Sequence, residues 1–460
     1  MLRKAPGSTV ATRLRGSVRV RGTRIPVWLI IAGLGVLLAT VSMQVIALRV
    51  GVKGPLVRIT DDVSGVPGSA ETYLAALVIA LVGLTPRYRF AAVVSAVALQ
   101  AVFSVGRWLR SEPFALGDGA LYALLGLTIA TAVVLRGAEQ RRAAKSIAIG
   151  LLLAFATKLA DTWLAISATA RPRVLDEFVV TVDEALGQPS WQVGRALEVL
   201  GPIPTAVLHA VYIALPIGAI VVALWQLRAV SRGALRWPRH HIIRTFLAIG
   251  ILGPFVYLLF PVVGPVFAYG PQGGGWAVVN AWPHTLPVMP AQPGWLEFDA
   301  ETARNCMPSL HTAWSLTIFL HSRRGPRWLR YGGAFWFGAT LLATLGFGYH
   351  YGADLISGAV LALTIEAALR DPGRGWDRAR VGLVAVGVAM FAGLLFAYRH
   401  LAGEIAAHPD ISVPLLLGVL VGLSGWFVLQ FFADSGSDDD GAVAGRPPGG
   451  SPRSPAVSTG

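Results

Sequence analysis

Stretches of roughly 17–25 apolar residues, the length that crosses a bilayer as a helix, recur along nearly the whole chain. About twelve can be marked: 26–48, 70–86, 90–108, 118–135, 147–168, 203–227, 242–261, 308–322, 332–349, 351–369, 381–398 and 413–433. Only 14% of the residues are charged and 54% are hydrophobic, whereas about a quarter are charged in a soluble domain. The expected fold is therefore an all-α polytopic membrane protein with about twelve transmembrane helices. A basic segment precedes the first run, as in a signal peptide. That run is longer than the usual apolar region of about 7–15 residues, however, and no small-residue cleavage site follows. It is expected to stay as an anchor.

Charge sets the orientation. If the N-terminus is cytoplasmic and the runs alternate, 28 of the 39 Lys and Arg fall on the cytoplasmic side and 10 outside, with Lys158 inside a span. This is a positive-inside bias, and a miscount by one span would mix the two sets. Both termini are then cytoplasmic and the protein resides in the plasma membrane. The formal net charge of +14 does not point to nucleic acid, because a polytopic protein collects cations in its inner loops. The single cysteine, Cys306, excludes an internal disulfide and a cysteine-rich metal site.

The chain divides into a basic tail (1–24), four helices (25–146), six more (147–370), two at the C-terminal end (371–433) and a Gly/Pro/Ser/Asp-rich tail (434–460) expected to be disordered. Two outer segments are long. In 169–202, Val174, Leu175, Phe178, Val179, Val182 and Leu186 form one stripe, expected on a helix lying along the outer membrane surface. Residues 262–307, with Trp276, Trp282 and Trp295, have the length of a lid or binding loop.

Polar residues intrude on the apolar pattern at two places of equal depth. GFGYHYGADLISG (346–358) places His350 and Asp354 four apart, on one helical face. RNCMPSLHTAWSL (304–316) opens the eighth span with Pro308, suited to a first turn, and His311. One hairpin, with a basic inner turn, separates the histidines, so both emerge at the outer face.

PSLH (308–311) and HYGAD (350–354) resemble the second and third motifs of the type 2 phosphatidic acid phosphatase superfamily. PSLH, in place of the phosphatases' PSGH, is similar to the inositol phosphorylceramide synthase branch. The resemblance covers residues 147–370 and implies a six-helix phosphatase-like core. It implies that His350 is the nucleophile, forming a phosphohistidine. Asp354 then fixes its tautomer, and His311 protonates the leaving oxygen before acting as base toward the acceptor. Backbone N–H groups around Ser309, Leu310 and His311 would hold phosphate oxygens. The chemistry needs no metal or other cofactor, and two His with one Asp make a poor metal set.

The family's arginine six residues before the histidine is Thr344 here, and YLLFPVVGPVFAYG (257–270) lacks the basic residues of the first motif. Arg304 is the first candidate to meet the phosphate charge, with Arg171 or Arg173 behind it. Elsewhere, Lys158 and Asp161 read as an ion pair within one span, His209 as a packing residue, and His240 and His241 as part of an inner turn without chemistry. Glu297, Asp299 and Glu301 read as a solvated acidic face. Three functions compete: phosphotransfer from a phospholipid or polyprenyl-phosphate-type substrate to an alcohol; hydrolysis, with water as acceptor; and a non-enzymatic transporter or scaffold. The intact His/His/Asp set argues against the third, and PSLH favours the first.

Overall fold

Every apolar run of the sequence is helical. The computed structural model describes residues 17–20, 23–65, 67–270, 278–283, 293–296, 304–370 and 375–432. Trp276, Glu297, Asp299, Glu301, the tail 434–460 and most of the basic tail lie outside them. The chain opens with a two-stranded antiparallel ribbon, β1 (Ser17–Val20) with β2 (Thr23–Pro26), pairing Ser17 with Pro26. The helices of six or more residues are α1 (Val27–Arg49), α2 (Pro55–Ser64), α3 (Ala70–Val82), α4 (Pro86–Leu109), α5 (Asp118–Val133) and α6 (Gly137–Ala170). After β3 (Arg173–Val174) come α7 (Asp176–Ala185), α8 (Pro189–Leu200), α9 (Pro202–Ile213), α10 (Leu215–Gln226) and α11 (Ile242–Leu259). Then follow β4 (Gly294–Trp295), α12 (Leu310–Ser322), α13 (Arg327–Gly346), α14 (Gly352–Leu369), α15 (Arg378–His400), α16 (Ala402–Ala407) and α17 (Pro409–Phe432).

Twelve helical runs are not twelve demonstrated spans. Six described helices, α4, α6, α11, α14, α15 and α17, are long and apolar enough to cross a membrane, and α9 with α10 makes a seventh if that pair, bent by 57°, is one span. Gly33–Arg49 within α1, and α3 and α5, are apolar but shorter. The 13 residues of α12 rise only about 20 Å, against about 30 Å of hydrocarbon. Residues 304–309 complete its path without helix. Irregular backbone at that depth is tolerated because protein surrounds it: apart from Asn305, these residues are buried.

Two cores hold the helices. Tyr73, Leu77, Leu121, Leu124 and Ile147 pack α3, α5 and α6 together in the N-terminal part. The larger core surrounds α14, of which 78% of the apolar window is buried. The stripe of the outer segment belongs to this second core, which corrects the expectation of a membrane-surface helix. Leu175, Val179 and Val182 are fully buried, as is Val180 on another face. A helix covered by protein on its apolar and polar faces alike, Asp176 and Asp183 included, has no solvated face to lay on a headgroup layer; α7 is a buried peg among α14, α15, α16 and α17.

A second correction concerns Lys158. Its ammonium pairs with Asp62 at 2.6 Å and donates to Ser69 Oγ at 3.2 Å. Asp62 also accepts from the Tyr73 hydroxyl (2.6 Å) and the Gly68 N–H (2.8 Å). Asp161, the expected partner, instead lines a cavity described below. Residues three apart on a helix meet only if both side chains turn along its surface, whereas Asp62 on α2 lies directly across from Lys158. Removing one member of a buried pair strands the other charge, at a cost of about 3–5 kcal/mol. Lys158→Met is expected to lower unfolding stability in detergent by that amount, and Asp161→Asn by far less. Equal losses would restore the Lys158–Asp161 pairing.

Candidate active site

The hairpin of α12, α13 and α14 brings the two polar motifs together. Ser309 caps α12, its hydroxyl accepting from the Thr312 N–H at 3.2 Å and from the Thr312 hydroxyl at 3.0 Å. Its own N–H donates to the Asp354 carbonyl at 3.2 Å. Gly358 permits this close approach, since a Cβ there would sit 2.4 Å from the Ser309 carbonyl oxygen.

Asp354 is the third residue of α14 and reaches back to the Tyr351 N–H at 2.9 Å, satisfying a donor of the first turn. The same oxygen, Oδ2, lies 3.3 Å from His350 Nδ1 and accepts from the Cys306 thiol at 2.6 Å. With the carboxylate as acceptor, His350 carries its proton on Nδ1, which leaves the Nε2 lone pair free. His311 is held through the same ring nitrogen: the Tyr212 hydroxyl, which can donate or accept, lies 3.2 Å from its Nδ1, and the two rings stack at 4.1 Å. The imidazole rings of His311 and His350 meet edge to face, 6.2 Å between centroids.

Both histidines line a cavity of about 620 Å³. Its walls are mostly apolar, from Leu153, Leu164, Phe246, Leu247 and Phe267, with Asn305, Tyr349 and Asp161 as polar groups. No Lys or Arg lines it among the described residues, and residues 262–303 contain none at all. Arg304 is placed differently from its expected role: it is fully buried and directs its guanidinium to the backbone carbonyls of Arg171 (3.3 Å) and Leu296. Arg171 and Arg173 are exposed and away from the cavity. Leu310 lines it, but Ser309 does not. The N–H groups of Leu310 and His311 have no acceptor among the described hydrogen bonds, so they are the ones left to face an anion.

Sequence reasoning passed over several contributors. Cys306, a lone cysteine that excludes a disulfide and a cysteine-rich metal site, bonds Asp354 through its thiol. Asp176, on α7, accepts from the N–H groups of Val263 (3.1 Å) and Gly264 (2.9 Å) and from the Tyr351 hydroxyl (2.9 Å). Asp183, two turns on, accepts from the Ala353 N–H at 3.2 Å. Burial pushes the Asp176 carboxyl up to about 6 and the Asp183 carboxyl well above the usual carboxylate range. Together they pin the start of α14, and with it Asp354. His209, as expected, only packs, edge-on to Phe347.

Two groups of side chains have metal-like proximity, with potential ligand atoms within 4.8 Å: Cys306, His350 and Asp354, and His240, His321 and Glu366. The first fits a metal poorly. The Cys306 sulfur lies 2.6 Å from Asp354 Oδ2 and donates to it, so it holds its proton rather than offering a thiolate. The second lies at the C-terminal ends of α12 and α14 and shows that His240 does more than occupy a turn. Gln226 Oε1 accepts from the Ile242 N–H at 2.8 Å, which turns its NH₂ to His321 Nδ1 at 2.9 Å. His321 therefore carries its proton on Nε2, 3.2 Å from Glu366 Oε2. Arg370 (2.9 Å) and the Thr245 hydroxyl (2.6 Å) complete the Glu366 shell. A proton-bearing nitrogen beside an arginine-paired carboxylate is a polar lock between helices, not a ligand set.

Residues 202–368 match a family model described as the PAP2 superfamily. That segment runs from α9 through α14 and contains both histidines and Asp354. Residues 27–166, α1 through most of α6, match a model described as a domain of unknown function, DUF5933. No curated protein and no solved structure matches the chain. The PAP2 match supports the superfamily reached from PSLH and HYGAD, and with it a phosphoryl-transfer or lipid phosphatase type of activity.

Proposed function

We propose that this protein is a membrane phosphotransferase that moves a phosphate-linked head group between lipid or polyol substrates through a phosphohistidine on His350. The observation that carries the choice of substrate is the cavity wall: two histidines face a mostly apolar space that no Lys or Arg lines among the described residues. A phosphomonoester brings a charge of about −1.5 to −2 at pH 7, which such a wall leaves uncompensated in low dielectric. A phosphodiester brings one. A phospholipid or polyprenyl-phosphate-type diester fits that space better than a lipid monophosphate.

The chemistry follows from the ring nitrogens. His350 Nε2 attacks phosphorus, forming the N–P bond while the ester P–O bond breaks. His311 Nε2 gives its proton to the departing oxygen, and the Leu310 and His311 N–H groups hold a non-bridging oxygen. Asp354 keeps the proton on His350 Nδ1 and balances the positive charge that develops on the ring. The acceptor alcohol then loses its proton to His311 as its oxygen takes the phosphorus and frees Nε2. No step calls on a metal ion.

Twelve crossings, cytoplasmic termini, a plasma-membrane location and an extracytoplasmic active site complete the proposal, resting on the charge bias. Because Cys306 is the only cysteine and is buried, labelling can report the sides. A cysteine at exposed Asn280 is expected to react with an impermeant maleimide added outside intact cells, and one at exposed Arg327 is not. The reverse pattern overturns the orientation.

Purified protein given a labelled lipid phosphodiester and an alcohol is expected to form a new phosphodiester. Release of water-derived product alone would make it a hydrolase. Asp354→Asn, which keeps the shape but permits the wrong tautomer of His350, is expected to slow transfer by about 10²–10³-fold. An unchanged rate would remove Asp354 from the mechanism.

A further inference from the structure

A second cavity, of about 500 Å³, adjoins the first. Leu153, Thr157, Tyr212, Phe246, His311 and Trp314 line both, so they form the partition. His350 lines only the first. The far wall of the second comes from Glu71, Thr72, Ala75 and Ile79 on α3, facing Ala219 and Ile220 on α10. α3 lies in the region of unknown function, outside the PAP2 match. The catalytic region therefore does not close this chamber by itself.

We propose that α3 and the N-terminal helices that hold it build an acceptor site: the second chamber takes the hydrocarbon chain of a membrane-embedded alcohol and delivers its hydroxyl to His311. This rests on the phosphoryl-transfer reading above.

The division of the histidines between the chambers matches their division of labour. The nucleophile needs to meet only the donor. The proton carrier must meet the leaving oxygen first and the acceptor oxygen afterwards. Among the described residues His311 and Tyr212 are the titratable side chains common to both walls, and of the two only an imidazole exchanges its proton near neutral pH. With its Nδ1 held by Tyr212, the same Nε2 serves both steps. In the second step the acceptor O–P bond forms as the N–P bond to His350 breaks, and the hydroxyl proton passes to His311. Atoms and charge balance without a co-reactant.

The lining identifies the class of acceptor. Glu71 and Thr72 stand in the first turn of α3, while Ile242 and Ile243 open α11 at the opposite end. Between them the wall is Ala75, Ile79, Leu153, Ala219, Ile220 and Ala223. From Glu71 to Ile79 the helix rises about 12 Å, so the chamber runs along α3 with Glu71 and Thr72 at one end. A free polyol would leave hydroxyls unpaired against these side chains, and water needs no chamber of this volume. A single-chain alcohol matches the pattern, and the volume lies within the roughly 300–1,000 Å³ of small-molecule sites.

The test uses the full chain in lipid nanodiscs, a nitrophenyl phosphodiester as donor, and dodecanol or glycerol as acceptor. The first-turnover burst of nitrophenol reports the first half-reaction; steady-state formation of dodecyl or glyceryl phosphodiester reports the second. Wild-type protein is expected to transfer to dodecanol in preference to glycerol. Ala75→Trp and the milder Ala219→Phe, which intrude only on the second chamber, are expected to cut dodecyl transfer about tenfold or more while the nitrophenol burst keeps its rate, which also reports that the variants are folded. If dodecyl transfer falls only in step with the burst rate, or glycerol is preferred, the acceptor site is wrong while the phosphotransfer reading stands. If wild-type protein releases no nitrophenol, both fall.

Discussion

One carboxylate oxygen, Asp354 Oδ2, sets the geometry of the end of the core where α12 and α14 begin. A buried carboxylate is costly unless donors surround it, and this one collects the Tyr351 N–H, the Cys306 thiol and His350 Nδ1 within 3.3 Å. Each donor fixes something different. The N–H fixes where α14 begins, the thiol ties the segment before α12 to it, and the imidazole is held against the cavity. The Asp354 backbone carbonyl adds a fourth tie, accepting from the Ser309 N–H. The proposed nucleophile, proton carrier and anion-binding turn are thus referred to one residue, which brings two sequence motifs 39 residues apart together.

The packing around this point serves the same end. Asp176 and Asp183 reach from α7 to the residues flanking Asp354, and the apolar faces of α7 are sunk into the large core to hold them there. At the far end of α12 and α14, the His321–Glu366–Arg370 lock fixes the same two helices again. Helices pinned at both ends keep the two imidazole rings in register, which a transfer reaction needs because small misplacements of reacting groups are expensive.

Much of this was legible in the chain. The helices followed from the length of the apolar runs, and the His350–Asp354 pair from its four-residue spacing. His311 followed from the length of one hairpin. What failed to show in the sequence was every partnership made across helices. Lys158 has an acidic neighbour at 161, but its partner, Asp62, lies on another helix. The stripe from Val174 to Leu186 reads as amphipathic, yet the apolar residues between its members, such as Val180, face protein too. A lone cysteine carries no spacing signal, so the bond from Cys306 to Asp354 left no trace. Arg304 had the right charge near the right motif, but backbone carbonyls claim it. The role of α3 was hidden for the same reason: Ala75 and Ile79 look like any membrane helix until the neighbouring wall is known.

The central claim is that His350, held by Asp354, is the atom-bearing intermediate and His311 the proton carrier. Rapid mixing with an activated phosphodiester, quenching, and peptide-level mapping of acid-labile phosphate tests it most directly. The account predicts phosphate on His350, none in His350→Ala, and retained phosphate in His311→Ala, because a nitrophenolate leaving group needs no proton. Phosphate on His311, or labelling that survives His350→Ala, would contradict it.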